Sequence, residues 1–68
     1  MRETILSRCE AKGLRMTEQR RIIAGVLEAA DDHPDVEDLY TRASAQDPNI
    51  SIATVYLTVK LFEEAGIL

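Results

Sequence analysis

At 68 residues the chain is long enough for one small domain and no more. Folding at this size buries only about 60% of the unfolded surface, so the core must be thin. An apolar fraction of 46% excludes a disordered chain, and no run approaches the roughly 20 apolar residues of a membrane span. The net charge of −4 weighs against a general polyanion binder, but it is unevenly spread. Residues 1–21 carry six bases (Arg2, Arg8, Lys12, Arg15, Arg20, Arg21) against three acids, whereas residues 22–68 carry two bases (Arg42, Lys60) against nine acids. The single cysteine, Cys9, excludes an intramolecular disulfide and a paired-cysteine zinc site, and reads as a small apolar helix residue. With no visible signal peptide, a reducing, cytoplasmic setting is expected.

The pattern predicts four helices. The first runs roughly from Arg2 to Lys12, with Ile5, Leu6 and Cys9 on one face and Gly13 as its stop. Thr17 is placed to cap a second helix that runs to about Ala29, where Ile22, Ile23, Val26 and Leu27 recur at helical spacing. Asp31-Asp32-His33-Pro34 breaks that pattern, because a proline disfavours helix in the residue before it. A third helix is expected over Asp35–Ala45, its stripe formed by Val36, Leu39, Tyr40 and Ala43, and Asp47-Pro48-Asn49 follows as a turn. Ser51 then caps a fourth helix that continues to Ala65 and stops at Gly66. Ile67-Leu68 is too short to classify, although an apolar pair after a helix-ending glycine can begin a strand.

In the fourth helix, at about 100° per residue, Val55, Val59, Phe62 and Gly66 fall on one face with Ile52 just beside them, which assigns that side to the core. Ala53, Leu57, Lys60 and Glu64 lie opposite, flanked by Tyr56 and Leu61. Two helices joined by a short turn, the second with an outward face, match the helix-turn-helix pattern, in which the start of the second helix enters a major groove. That puts Ala53, Thr54, Tyr56 and Leu57 nearest the base edges. Each also has a plainer reading. Tyr56 suits a half-buried boundary, Thr54 a bond to its own helix terminus, Lys60 a solvated charge, and Leu57 with Leu61 a small exposed apolar ridge.

Several segments resemble the N-terminal domain of the ferric uptake regulator family. They are Gly13-Leu14-Arg15-Met16-Thr17 followed by Gln19-Arg20, His33-Pro34-Asp35-Val36-Glu37-Asp38-Leu39-Tyr40, Ile52-Ala53-Thr54-Val55-Tyr56 with Thr58-Val59, and Glu63-Glu64-Ala65-Gly66-Ile67-Leu68. Nearly the whole chain is covered in the family's order, with an alphaproteobacterial flavour in the Ser-Ile-Ala-Thr-Val-Tyr segment. The resemblance implies a winged-helix DNA-binding domain over residues 1–68, all-α as present and truncated where its two-stranded wing begins. It further implies a C-terminal dimerisation and metal domain beyond Leu68. The function so implied is that of a sequence-specific DNA-binding module in a metal-dependent transcriptional repressor controlling metal-ion uptake genes. In full-length form it would be a homodimer on a palindromic, A/T-rich operator.

By position, Arg15 takes the place of a basic residue that reaches a minor groove, and Tyr56 that of a tyrosine packed on thymine methyl groups. Thr17, Arg20, Ser51, Ala53, Thr54 and Lys60 complete the expected DNA-binding set. Position 57 is usually arginine in the family. Leu57 can neither donate a hydrogen bond nor neutralise a phosphate, so weaker DNA binding is expected. The competing reading is a helix-turn-helix scaffold for protein contacts, with Leu57 and Leu61 in the contact patch. An enzyme is not expected, since the only histidine has no nucleophile near it in the sequence.

His33 matches a histidine that the family uses in a regulatory site for iron, manganese or zinc between its two domains. Such sites generally need roughly three or more protein ligands, so residues 1–68 are not expected to hold a metal alone. Calorimetric titration of this chain with Zn²⁺ or Mn²⁺ should accordingly show no sub-micromolar site; a stoichiometric one would overturn the expectation.

Overall fold

A computed structural model describes residues 4–30, 32 and 34–68. The helices are α1 (Ile5–Ala11), α2 (Glu18–Ala29), α3 (Val36–Gln46) and α4 (Ile52–Glu64), with no strand among the described residues. All four begin with the same device. The side-chain oxygens of Thr4, Thr17, Asp35 and Ser51 accept hydrogen bonds from the backbone N–H groups of Ser7, Arg20, Asp38 and Thr54 at 2.9–3.2 Å. Each satisfies one of the donors that a helix N-terminus leaves open. In α1 the Ser7 hydroxyl also accepts from the Thr4 N–H at 3.0 Å, a reciprocal box that sets the helix start at Thr4. The expected extension of this helix to Arg2 and Glu3 lies outside the described residues.

Both α1 and α4 end on a glycine with positive φ, Gly13 at 72° and Gly66 at 74°. The Gly13 N–H donates to the Glu10 carbonyl and the Leu14 N–H to the Cys9 carbonyl; Gly66 and Ile67 repeat the pattern on Glu63 and Phe62. This is the Schellman closure, and it turns the chain so that the next residue folds back on the helix. At α4 that residue is Ile67, fully buried like Phe62. Ile67 therefore plugs the core, whereas Leu68 is 51% exposed, and neither lies in a strand among the described residues.

The core is one cluster: Cys9 from α1, Ile23, Ala24 and Val26 from α2, Leu39 and Ala43 from α3, Ile50 from the turn, Val55 and Phe62 from α4, and Ile67. The first helix packs on α2, α2 on α3, and α4 on both α2 and α3. A seven-residue helix such as α1 has too few turns to be stable alone, so tertiary bonds must hold it. The Glu28 carboxylate, near the end of α2, accepts from the Ile5 N–H at 2.6 Å and places a negative charge at the α1 N-terminus, where the helix dipole favours it. From the other side, the Arg8 guanidinium donates to the Ile67 carbonyl at 3.2 Å, closing the segment after α4 onto α1.

One feature of α4 corrects the sequence reading. Its buried residues are Val55, Thr58 and Phe62, whereas Ile52 is 48% exposed and Gly66 lies at the surface. The helix is turned by roughly 40° from the orientation that hydropathy assigned. Ile50, two residues earlier in the turn, fills the apolar place at this end of α4, and Ile52 is left outside. Thr58 is small and half apolar, and it takes the inner position that a polarity scale denies it.

The glycines give a test with two opposite signs. A Cβ added at Gly66 or at Gly25 meets nothing within 4 Å, so sterics do not separate them. Gly66→Ala forces a left-handed conformation and should cost about 1–2 kcal/mol, whereas Gly25→Ala, within α2, should stabilise by about 0.5–1 kcal/mol. Thermal unfolding followed by circular dichroism should show the midpoint moving down in the first and up in the second.

Candidate nucleic-acid interface

The turn that positions α4 is built from its own polar groups. The Asp47 carboxylate accepts from the Asn49 N–H at 3.0 Å, and the Asp47 carbonyl accepts from the Ile50 N–H at 3.1 Å. With Ile50 buried, the turn is pinned at both its backbone and its side chain. Ser51 then caps α4, and its Oγ lies 2.9 Å from the Thr54 hydroxyl, so the two polar side chains at the helix start are bonded to each other. Both readings of Thr54 therefore have to reckon with a hydroxyl already in use.

The outward face of α4 is formed by Ile52, Ala53, Tyr56, Leu57 and Lys60, all exposed. Tyr56 is 53% and Leu57 63% exposed, so both present most of their surface to solvent and Tyr56 falls in the exposed class. Leu61, its expected partner in the ridge, is half-buried. No acidic residue occurs in the first turn of α4; Glu63 and Glu64 fall at its far end. On one flank Tyr56 and Lys60 line a shallow groove of about 410 Å³ against Pro34, Asp35 and Val36 of the α3 start, with Glu63 beside them. Asp35 and Glu63 make that flank acidic, and they bound the area a polyanion can approach.

A second unit comes from the connection between α1 and α2. Arg15 is exposed in this loop, and the half-buried Arg20 turns back from α2 to donate from its Nη1 to the Arg15 carbonyl at 2.8 Å. Thr17, exposed between them, caps α2. Arg20 therefore fixes the loop that presents Arg15, a positioning role that spacing alone does not reveal. Sequence reasoning also missed Ile52 as an outward residue; its place four positions before Tyr56, on the same side of the helix, was the available signal.

His33, the expected metal ligand, lies outside the described residues. Asp32 and Pro34 on either side of it line a groove of about 460 Å³ together with Glu63 and Leu68. Among the described residues no three His, Cys, Asp or Glu side chains converge as a metal site. Cys9 is fully buried. Loss of water pushes its thiol above the ordinary range, opposed by a backbone hydrogen bond and reinforced by the charge of Glu10. It is a core residue, neither a nucleophile nor a ligand in the folded domain.

These features define a small all-α domain with a helix-turn-helix pair whose second helix is capped, rigidly held and exposed along one face. The chain belongs to the ferric uptake regulator family, whose model matches residues 11–68. It is 59% identical over 66 residues to a ferric uptake regulation protein of Rhizobium leguminosarum bv. viciae, an overlap of 97% of this chain and 46% of that protein. A peroxide-responsive repressor of Staphylococcus aureus is 37% identical over 98% of this chain and 45% of its own length. Among solved structures, a manganese uptake regulator superposes with a TM-score of 0.92 at 56% identity, covering 97% of this chain and 48% of that one. The chain thus spans less than half the length of these relatives.

The two arginines of the loop separate by stability. Arg20→Ala removes the bond to the Arg15 carbonyl and should cost about 1 kcal/mol, lowering the unfolding midpoint by roughly 4–8 °C. Arg15→Ala removes only an exposed side chain and should stay within about 0.5 kcal/mol of the parent. Equal effects in thermal melts would show that the Arg20 bond does not hold the loop.

Proposed function

We propose that this chain is the sequence-specific DNA-binding module of a metal-dependent transcriptional repressor that controls metal-ion uptake genes. The observation that carries the reading is the outward face of α4. It follows a short turn, is solvent-exposed, and bears no acid over its first two turns within a domain of this family. A helix so placed has the width and the charge pattern to enter a major groove. In this reading Ala53, Thr54, Tyr56 and Leu57 lie along the base edges, while Ser51 and Lys60 approach phosphates. Arg15, its carbonyl bonded by Arg20, reaches a neighbouring minor groove.

The remaining parts of the proposal concern the whole protein. A wing and a dimerisation domain following residue 68 would pair two such modules on a palindromic, A/T-rich operator. His33 would join ligands from that second domain around a divalent metal, one of iron, manganese or zinc. The relatives named for ferric and manganese uptake, and a solved zinc-bound manganese uptake regulator 58% identical to this chain, support a divalent metal without choosing among the three. A cytoplasmic location and a role without catalysis belong to the same reading. No helix among the described residues is long and apolar enough to cross a membrane.

The exposed Ile52, Tyr56 and Leu57 favour one competing use of the same face, contact with another protein. Salt separates the two. Fluorescence anisotropy with labelled duplex should give binding whose logarithm falls with log salt at a slope of about −0.9 per phosphate engaged. Lys60→Ala should flatten that slope by about 1 unit. No duplex binding at low salt would favour the protein-contact reading and overturn the proposal.

A further inference from the structure

Resting on the reading that α4 enters a major groove, we propose that Leu57 is a specificity-determining residue that selects thymine through its C5-methyl group. The argument begins with what this face can offer a base edge. Ile52, Ala53 and Leu57 have no hydrogen-bonding side chain, and the hydroxyls of Ser51 and Thr54 are bonded to each other. The Ser51 oxygen is further occupied by the Thr54 N–H at 3.1 Å. Over the first two turns that pair keeps one hydroxyl hydrogen at the very start of the helix, and the Tyr56 hydroxyl is the next polar group, with the Lys60 ammonium one turn further on.

Guanine and adenine are read in the major groove by donors to N7 with O6 or N6 partners, and cytosine by an acceptor for its amino group. At position 57 none of these is present. The one apolar mark in the major groove is the thymine methyl, and it is the only base feature a leucine can distinguish. Leu57 is free for such a contact because the core does not use it. The buried side of α4 is complete with Val55, Thr58 and Phe62, and 63% of Leu57 stays in water. Charge favours a nucleic-acid occupant over an apolar surface of a protein. Lys60 follows Leu57 by three residues, close enough on the helix to meet a phosphate beside the contacted base, and the first turn of α4 carries no acid.

The test uses a duplex selected by this chain from a randomised pool. Each thymine is then replaced in turn by deoxyuridine, which removes the methyl group and keeps the pairing. Anisotropy titration should show binding weakened about fourfold at the step under Leu57, separate from any loss at steps that Tyr56 contacts, the scale expected for one buried methyl. Leu57→Ala, an exposed substitution whose folding is checked by its melt, should bind the uracil and thymine duplexes equally at that step. It should leave the other steps as they were. Leu57→Arg should replace the thymine preference there with one for guanine. A duplex that binds but is insensitive to uracil at every step overturns the assignment while leaving the DNA-binding function standing. Sensitivity unchanged in Leu57→Ala overturns it equally. Failure of the pool to yield any bound duplex removes both the assignment and the function it rests on.

Discussion

The rotation of α4 about its own axis is the constraint on which the rest of this domain depends. It is set by Val55, Thr58 and Phe62 against the other helices, with Ile50 below them and Ile67 above. Turning the helix by one residue position, about 100°, would carry a flank of the outward face inward and bring part of the apolar face into water. Interiors are packed closely enough that no intermediate orientation is stable. The capped turn at Asp47–Ser51 and the Schellman closure at Gly66 act on the same degree of freedom from the two ends. Together they convert a thin core into a rigid presentation of five exposed residues.

The sequence made the punctuation of the fold legible. Thr17 and Ser51 were readable as caps and Gly13 and Gly66 as stops, because each solves a local problem of unsatisfied donors or of left-handed backbone that few other residues solve. The family resemblance, carried by runs such as Ala53-Thr54-Val55-Tyr56, was equally open to view. What could not be read was anything set by a distant partner. The Glu28 carboxylate on the Ile5 N–H joins residues 23 apart, and the Arg8 guanidinium on the Ile67 carbonyl joins residues 59 apart. The outward turn of Ile52 is of the same kind. Hydropathy alone places isoleucine inside, and only the competing claim of Ile50 on that space sends it out.

Arg20 shows how this affects a functional site. Spacing marks it as one more base in a positive N-terminal segment, interchangeable with Arg15. In the fold the two divide the work: one guanidinium is bonded to the backbone that carries the other. A loop held in this way presents Arg15 with less conformational entropy to lose on binding than a free loop would.

The net charge of −4 fits the proposed function once the length scale of electrostatics is considered. The domain measures 29 × 24 × 19 Å, against a screening length of about 8 Å at physiological salt. A phosphate beside Lys60 or Arg15 is therefore governed by its near neighbours, and the acids of α3 matter mainly where Asp35 borders the Tyr56 groove. A net-acidic module does, however, forgo the general attraction that holds basic domains on any duplex. Its discrimination must come from contacts that differ between bases. On α4 those contacts are mostly apolar, and Leu57 is the most exposed large apolar side chain among them. If α4 enters a major groove as proposed, Leu57 is thus the side chain best placed to set which sequence this domain prefers.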